Sequence, residues 1–152
     1  MIPGELVIAF HSLELKVFSF IVPAYSHGWE ESMDITTRTN SVARIVDVIG
    51  DITLDDAPDL LKALMDLLKA KKASRVVVNL TNVRYIDSAG VACLVEALKV
   101  SRELKLGFAL FGLSRVAKEV FELTRLIRVF EVYDTEEEAL RSVQPTSSGT
   151  TI

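Results

Sequence analysis

At 152 residues, 49% apolar and 25% charged, the chain has the length of one domain and the balance of a soluble globular fold with a real core. A net charge of −4 leaves no basic footprint, which argues against a direct nucleic-acid partner. The single cysteine, Cys93, excludes an internal disulfide, and His11 and His27 lie far apart with no cysteines or paired carboxylates at ligand spacing, so no metal site is expected.

Residues 1 to 32 read differently from the rest. Leu6 to Phe10 and Leu13 to Val22 are strongly apolar, and Glu14 and Lys16 alternate with Leu13, Leu15 and Val17 in a strand-like pattern. Those charges break what would have to be ~20 clean apolar residues for a membrane span. No basic residue precedes the apolar run, so it makes a poor secretory signal. Pro23, Ser26 and Gly28 mark a loop.

Met33 to Arg38 alternates as a first strand, Asn40-Ser41 is a turn, and Val42 to Ile49 is a second strand rich in β-branched residues. Gly50-Asp51-Ile52-Thr53 leads toward a helix that Asp55 or Asp56 can cap, with Pro58 and Asp59 in its first turn. Leu60, Leu61, Leu64, Leu67 and Leu68 form its inner face, and Lys69, Lys71 and Lys72 close it. Val76 to Val78 with Leu80 is a nearly continuous apolar run, as expected of a central strand in a parallel sheet. A Thr81-Asn82 turn follows, then Tyr85-Ile86-Asp87-Ser88-Ala89-Gly90.

A second helix begins at or just after Ser88, with Val91, Leu94, Val95 and Leu98 inward and Cys93 on the same buried face. Leu106 to Phe111 is the next strand, ended by Gly112. Ser114 caps a third helix with Val116, Val120, Leu123 and Ile127 inward. Val129 to Val132 is an edge strand, and Thr135 with Glu138 forms a capping box for a last helix. Pro145 to Thr151 is a Ser/Thr-rich tail that reads as disordered. The alternation of strands and helices gives an α/β fold in one pair of layers.

Asp87 and Ser88 therefore sit where a loop enters a helix at the carboxyl edge of the sheet, the edge that binds ligands and partners in open α/β folds. Ser88 has three readings. It can cap the helix, accept a phosphate favoured by free amides and the helix dipole, or act as a nucleophile. The third lacks a base, since no histidine is near and the pattern is not Gly-x-Ser-x-Gly. From pattern alone the cap is favoured over the phosphoacceptor. A small enzyme using Asp87 as base and Ser88 as nucleophile is disfavoured, because a carboxylate beside a serine along the chain rarely points at its hydroxyl.

The Asp87-Ser88-Ala89-Gly90 stretch, preceded by an Asn79-Leu80-Thr81 strand end, resembles the phosphorylation loop of STAS domains, the bacterial anti-sigma factor antagonists and their relatives. The resemblance runs from about Met33 to about Val143. It implies a STAS fold: a mixed sheet of four to five strands flanked by about four helices. It implies a cytoplasmic, non-enzymatic switch without cofactor. The unphosphorylated protein binds an anti-sigma factor that is also a GHKL-type serine kinase carrying its own ATP. Binding frees a sigma factor, phosphorylation of Ser88 releases the kinase, and a phosphatase resets the switch. The resemblance places the partner contact on Asp51, Thr53, Asp55, Asp87, Ala89, Gly90, Val91 and Leu94. The family pattern at positions 50 to 53 is Gly, acidic, apolar, Asp; Thr53 departs from it and weakens the case for the usual kinase contact. The alternative is a STAS scaffold, or the soluble STAS subunit of a membrane lipid (ABC) transporter, without a phospho-switch.

STAS domains of this compact type begin near Met33, so the expected division is an atypical extension at 1–32, the STAS domain at 33–143 and a tail at 144–152. Two readings of the extension stand open. It is upstream sequence read from too early a start, since Trp29-Glu30-Glu31 can be encoded by a purine-rich run like a ribosome-binding site, or it is a genuine segment that adds a hairpin or a homodimer contact.

Overall fold

The computed structural model describes residues 32–141, and residues 1–31 of the amino-terminal extension and the tail beyond residue 143 lie outside them. The described chain forms five strands, β1 (Asp34–Thr39), β2 (Ala43–Ile49), β3 (Arg75–Asn82), β4 (Gly107–Phe111) and β5 (Glu131–Tyr133). Four α-helices connect or follow them, α1 (Ala57–Ala70), α2 (Ser88–Glu103), α3 (Arg115–Leu123) and α4 (Glu136–Arg141), with a 3₁₀ turn at Leu126–Arg128.

The strands lie in the order β1-β2-β3-β4-β5. β1 is antiparallel to β2, in register from Asp34 opposite Ile49 to Thr39 opposite Arg44, while β2 through β5 are parallel. The mixed five-stranded sheet is the one the resemblance implies. Each parallel crossover steps one strand in the same direction. Crossovers of one hand then put α1, α2 and α3 on one face.

That face holds the main core. Val46, Val48, Val76, Val78, Leu80, Phe108 and Leu110 from the sheet pack against Leu60, Leu64 and Leu68 of α1, Val91, Leu94 and Leu98 of α2, and Val120 and Phe121 of α3. The opposite face is thinner: Ala43, Ile45, Val77, Ala109 and Phe111 meet Ala139 of α4. β3 is thus buried on both faces, as its valine run predicts.

Three local expectations need correction. The predicted inner face of the third helix has the wrong phase: Val116 and Leu123 are about half exposed, whereas Ala117, Val120, Phe121 and Thr124 are buried. The helix stops at Leu123, and Arg125 turns left-handed (φ 64°) into the 3₁₀ segment, so the 3.6-residue stripe cannot be extended to Ile127. Thr81-Asn82 is not a turn but the end of β3. Asp56 occupies the cap position of α1, yet its carboxylate bonds to no first-turn amide and instead accepts the Thr53 hydroxyl at 3.0 Å.

The other caps hold. Ser114 accepts Ala117 N–H at 3.1 Å, and the Thr135–Glu138 box closes in both directions, Glu138 N–H to Thr135 Oγ1 at 3.2 Å and Thr135 N–H to Glu138 Oε1 at 3.3 Å. On the thin face Arg38 grips Asp47 and Glu136, tying β1 to β2 and to α4, and Asn79 donates to Asp47 at 2.7 Å. These bonds hold the Asp47 carboxyl below its ordinary range, with burial opposing. Cys93 is buried, and burial, with Glu96 nearby, pushes its thiol up to about 12, so it is a core thiol rather than a reactive one.

Candidate functional site

Two chain segments meet at the carboxyl edge of the parallel strands. One is 50–56, leaving β2; the other is 82–90, leaving β3. They are stitched by main-chain bonds: Gly50 N–H to Asn82 O at 3.1 Å, Ile52 N–H to Tyr85 O at 3.0 Å, and Asp87 N–H to Ile52 O at 3.1 Å. Ile52 and Ile86 pair as an isolated parallel bridge, and both side chains are buried beneath the loops.

Asp87 finishes the seam. Its backbone is extended (φ −94°, ψ −176°) and it is the N-cap of α2. One carboxylate oxygen accepts Gly90 N–H at 2.9 Å, satisfying a first-turn amide, and the other accepts Leu54 N–H at 2.8 Å from across the seam. The cap that pattern alone assigns to Ser88 thus belongs to Asp87, and this carboxylate is a structural clasp between the two loops.

That leaves Ser88 free. It is the first helical residue, partly exposed, and its hydroxyl takes no hydrogen-bond partner among the described residues. The amides of Ser88 and Ala89 lie in the first turn, where no helix carbonyl can reach them, and the helix dipole favours an anion there. A phosphate on the Ser88 oxygen is chemically well placed.

The remaining expected contact residues separate into two groups. Thr53, Asp55 and Ala89 reach the surface, with Asp55 exposed and Asp51 half-buried at its rim. Gly90, Val91 and Leu94 do not. Val91 and Leu94 are fully buried in the main core, so they offer no surface to a partner; α2 turns them inward against the sheet as its apolar spacing demands. Gly90 is buried for a different reason. A Cβ there would lie 2.7 Å from Ile86 Cγ1 and 2.8 Å from Ile52 Cγ2, so its smallness lets the helix start close over the Ile52–Ile86 bridge.

Thr53 has an unexpected role. Its hydroxyl donates to the Asp56 carboxylate at 3.0 Å, so the residue that departs from the family pattern ties the loop to the start of α1. Leu54 was not singled out by the sequence. It is 69% exposed, the most exposed large apolar side chain among the described residues, and it stands beside the Asp87 clasp. Its signal is the apolar residue inside Thr53-Leu54-Asp55-Asp56, where a loop would be polar throughout.

Among the described residues no group of His, Cys, Asp or Glu could hold a metal, and no helix is long and apolar enough to cross a membrane. The STAS domain family model matches residues 34–139, most of the chain. The chain belongs to the STAS domain family. It is 34% identical over 91 residues to the anti-sigma-B factor antagonist of Listeria monocytogenes, an alignment covering 60% of this chain and 79% of that one. An anti-sigma factor antagonist from Mycobacterium paratuberculosis shares the fold with a TM-score of 0.68 at 23% identity, covering 78% of this chain and 99% of that one. The phosphorylated form of the Bacillus cell fate determinant SpoIIAA superposes with a TM-score of 0.59 at 15% identity, covering 73% of this chain and all (100%) of that one. The STAS match covers the whole sheet, from β1 through β5 and into α4.

Proposed function

We propose that this STAS protein is an anti-sigma factor antagonist controlled by phosphorylation of Ser88. It binds an anti-sigma factor that is also a serine kinase, in the cytoplasm, and so frees a sigma factor for transcription. The observation that carries the reading is the partly exposed Ser88 hydroxyl, without a hydrogen-bond partner among the described residues, at the first position of α2, on the edge where two loops converge. The chemistry needs nothing from this chain but the acceptor. The Ser88 oxygen takes the γ-phosphoryl group of the kinase's ATP, ADP leaves, and the hydroxyl proton is lost to the kinase or to water.

The added phosphate carries about −1.5 to −2 charges and lands next to Asp87. Asp87 cannot swing away without releasing Leu54 and Gly90 amides, so the new charge is held at the docking edge. A penalty of ~3 kcal/mol there lowers affinity by more than a hundredfold, with no rearrangement of the fold. A phosphatase restores the hydroxyl.

The test uses purified GHKL-type serine kinases from the source genome. The wild-type chain should bind one of them and gain a single phosphate mapped to Ser88 by mass spectrometry. Ser88→Ala should bind and stay unmodified, and Ser88→Asp should bind more weakly. Phosphorylation of Ser88→Ala at the wild-type rate would remove the site assignment. Recovery of a lipid-transporter subunit in place of a kinase would favour the transporter-subunit reading.

A further inference from the structure

We infer that Leu54 is the apolar anchor by which the partner recognises this chain, a specificity-determining contact in the docking surface around Ser88; the inference rests on the antagonist reading above. Single exposed leucines are ordinary on protein surfaces. Leu54 differs in how its main chain is held. Its own N–H is bonded to Asp87, and the turn beneath it is closed by Asp56 N–H to Thr53 O at 3.0 Å, Ala57 N–H to Thr53 O at 2.9 Å and the Thr53–Asp56 side-chain bond. The side chain therefore projects from a fixed backbone, and docking it costs little loop ordering.

The same carboxylate that fixes Leu54 caps the helix that presents Ser88. Anchor and phosphoacceptor are parts of one rigid unit. A partner that seats Leu54 is thereby brought to Ser88 in a set geometry, and a phosphate on Ser88 acts on a complex already centred there. The chemistry of the partner follows from the surroundings. Exposed Asp55 and Asp59 and half-buried Asp51 and Asp56 flank Leu54 along the chain, so the complementary surface is an apolar socket rimmed by lysine or arginine.

The experiment measures affinity, by calorimetry, of the full chain for the purified kinase that modifies Ser88. Leu54→Ala is compared with Leu54→Met and with Leu123→Ala. Leu123 is also exposed (56%), but it ends α3, which starts at the docking edge and runs away from it. Leu54→Ala should lose at least about tenfold in affinity with an unchanged melting temperature, while Leu54→Met stays within about threefold and Leu123→Ala within about twofold of wild type. Leu54→Ala binding within about twofold of wild type, with Ser88 still phosphorylated, overturns the anchor and leaves the antagonist reading standing. Equal losses for Leu54→Ala and Leu123→Ala overturn it as well, since they mark undirected stickiness. A wild-type chain that no such kinase binds or modifies removes both.

Discussion

Replacing Asp87 by alanine should unfasten the two loops from each other. The variant loses the cap bond to Gly90 N–H and the cross-loop bond to Leu54 N–H, both to a charged acceptor. Loss of an aspartate cap costs ~1 kcal/mol. The second bond belongs to a residue whose amide regains water once released, so its loss falls at about 1 to 1.5 kcal/mol, between the typical net value of a hydrogen bond and the low end for a charged one. The expected destabilisation is thus about 2 to 2.5 kcal/mol by denaturant unfolding. Asp87→Asn keeps one acceptor oxygen and turns an amide N–H toward the other donor, so it should fall between wild type and alanine. Hydrogen exchange localises the effect, with the Leu54 and Gly90 amides losing protection ahead of Ile52, whose N–H is bonded to Tyr85 O. If Asp87→Ala unfolds within about 0.5 kcal/mol of wild type and both amides stay protected, the clasp is not holding the loops.

Two further changes probe the frame around the site. Gly90→Ala should destabilise by about 1 to 3 kcal/mol, because the new methyl overlaps Ile86 and Ile52 and must push the start of α2 off the bridge; thermal melts together with the rate of Ser88 phosphorylation would show both effects. Asp47 titrates below its ordinary value of 3.8 because Arg38 and Asn79 bond its charged form. Its stabilisation is therefore complete above about pH 5 and is lost as pH falls through its lowered folded value. Arg38 is nearly half exposed, so solvent screening limits the pair to about 1 kcal/mol. Asp47→Asn should accordingly be less stable at pH 7 and show a flatter loss of stability as pH falls below about 4.

The strands were legible in their period and composition, while their arrangement in a mixed sheet was legible only through the resemblance to STAS domains. Val76 to Val78 reads as a double-faced central strand because the short apolar run is all β-branched, and Thr135 with Glu138 announced α4 through two reciprocal bonds. The helix-phase error on α3 came from weighing Val116 and Leu123 above Ala117 and Phe121. In a helix that ends at Leu123, hydrophobicity alone does not choose between adjacent stripes. At the site, the Asp87-Ser88 pair was visible as a helix start, but which residue capped was not. The deciding bond is Gly90 N–H to the Asp87 carboxylate, and the Leu54 amide, contributed from 33 residues earlier in the chain, holds the same carboxylate from the other side. The inward turn of Val91 and Leu94 follows from α2's own apolar spacing, and that spacing outweighs their nearness in sequence to Ser88.

The antiparallel direction of β1 has a practical consequence. Because Asp34 pairs with Ile49, the polypeptide enters the sheet on the very rim where Ser88 is displayed, and Gly50 adopts φ +98° with Met33 close enough that a Cβ would sit 3.3 Å from its Cα. Trimming the protein back to Met33 would therefore install a fresh α-ammonium group on the same edge of the sheet as Ser88. Any shortened version should be scored for partner affinity and phosphorylation as well as for folding, because a cut at that end is also an edit to the proposed recognition surface.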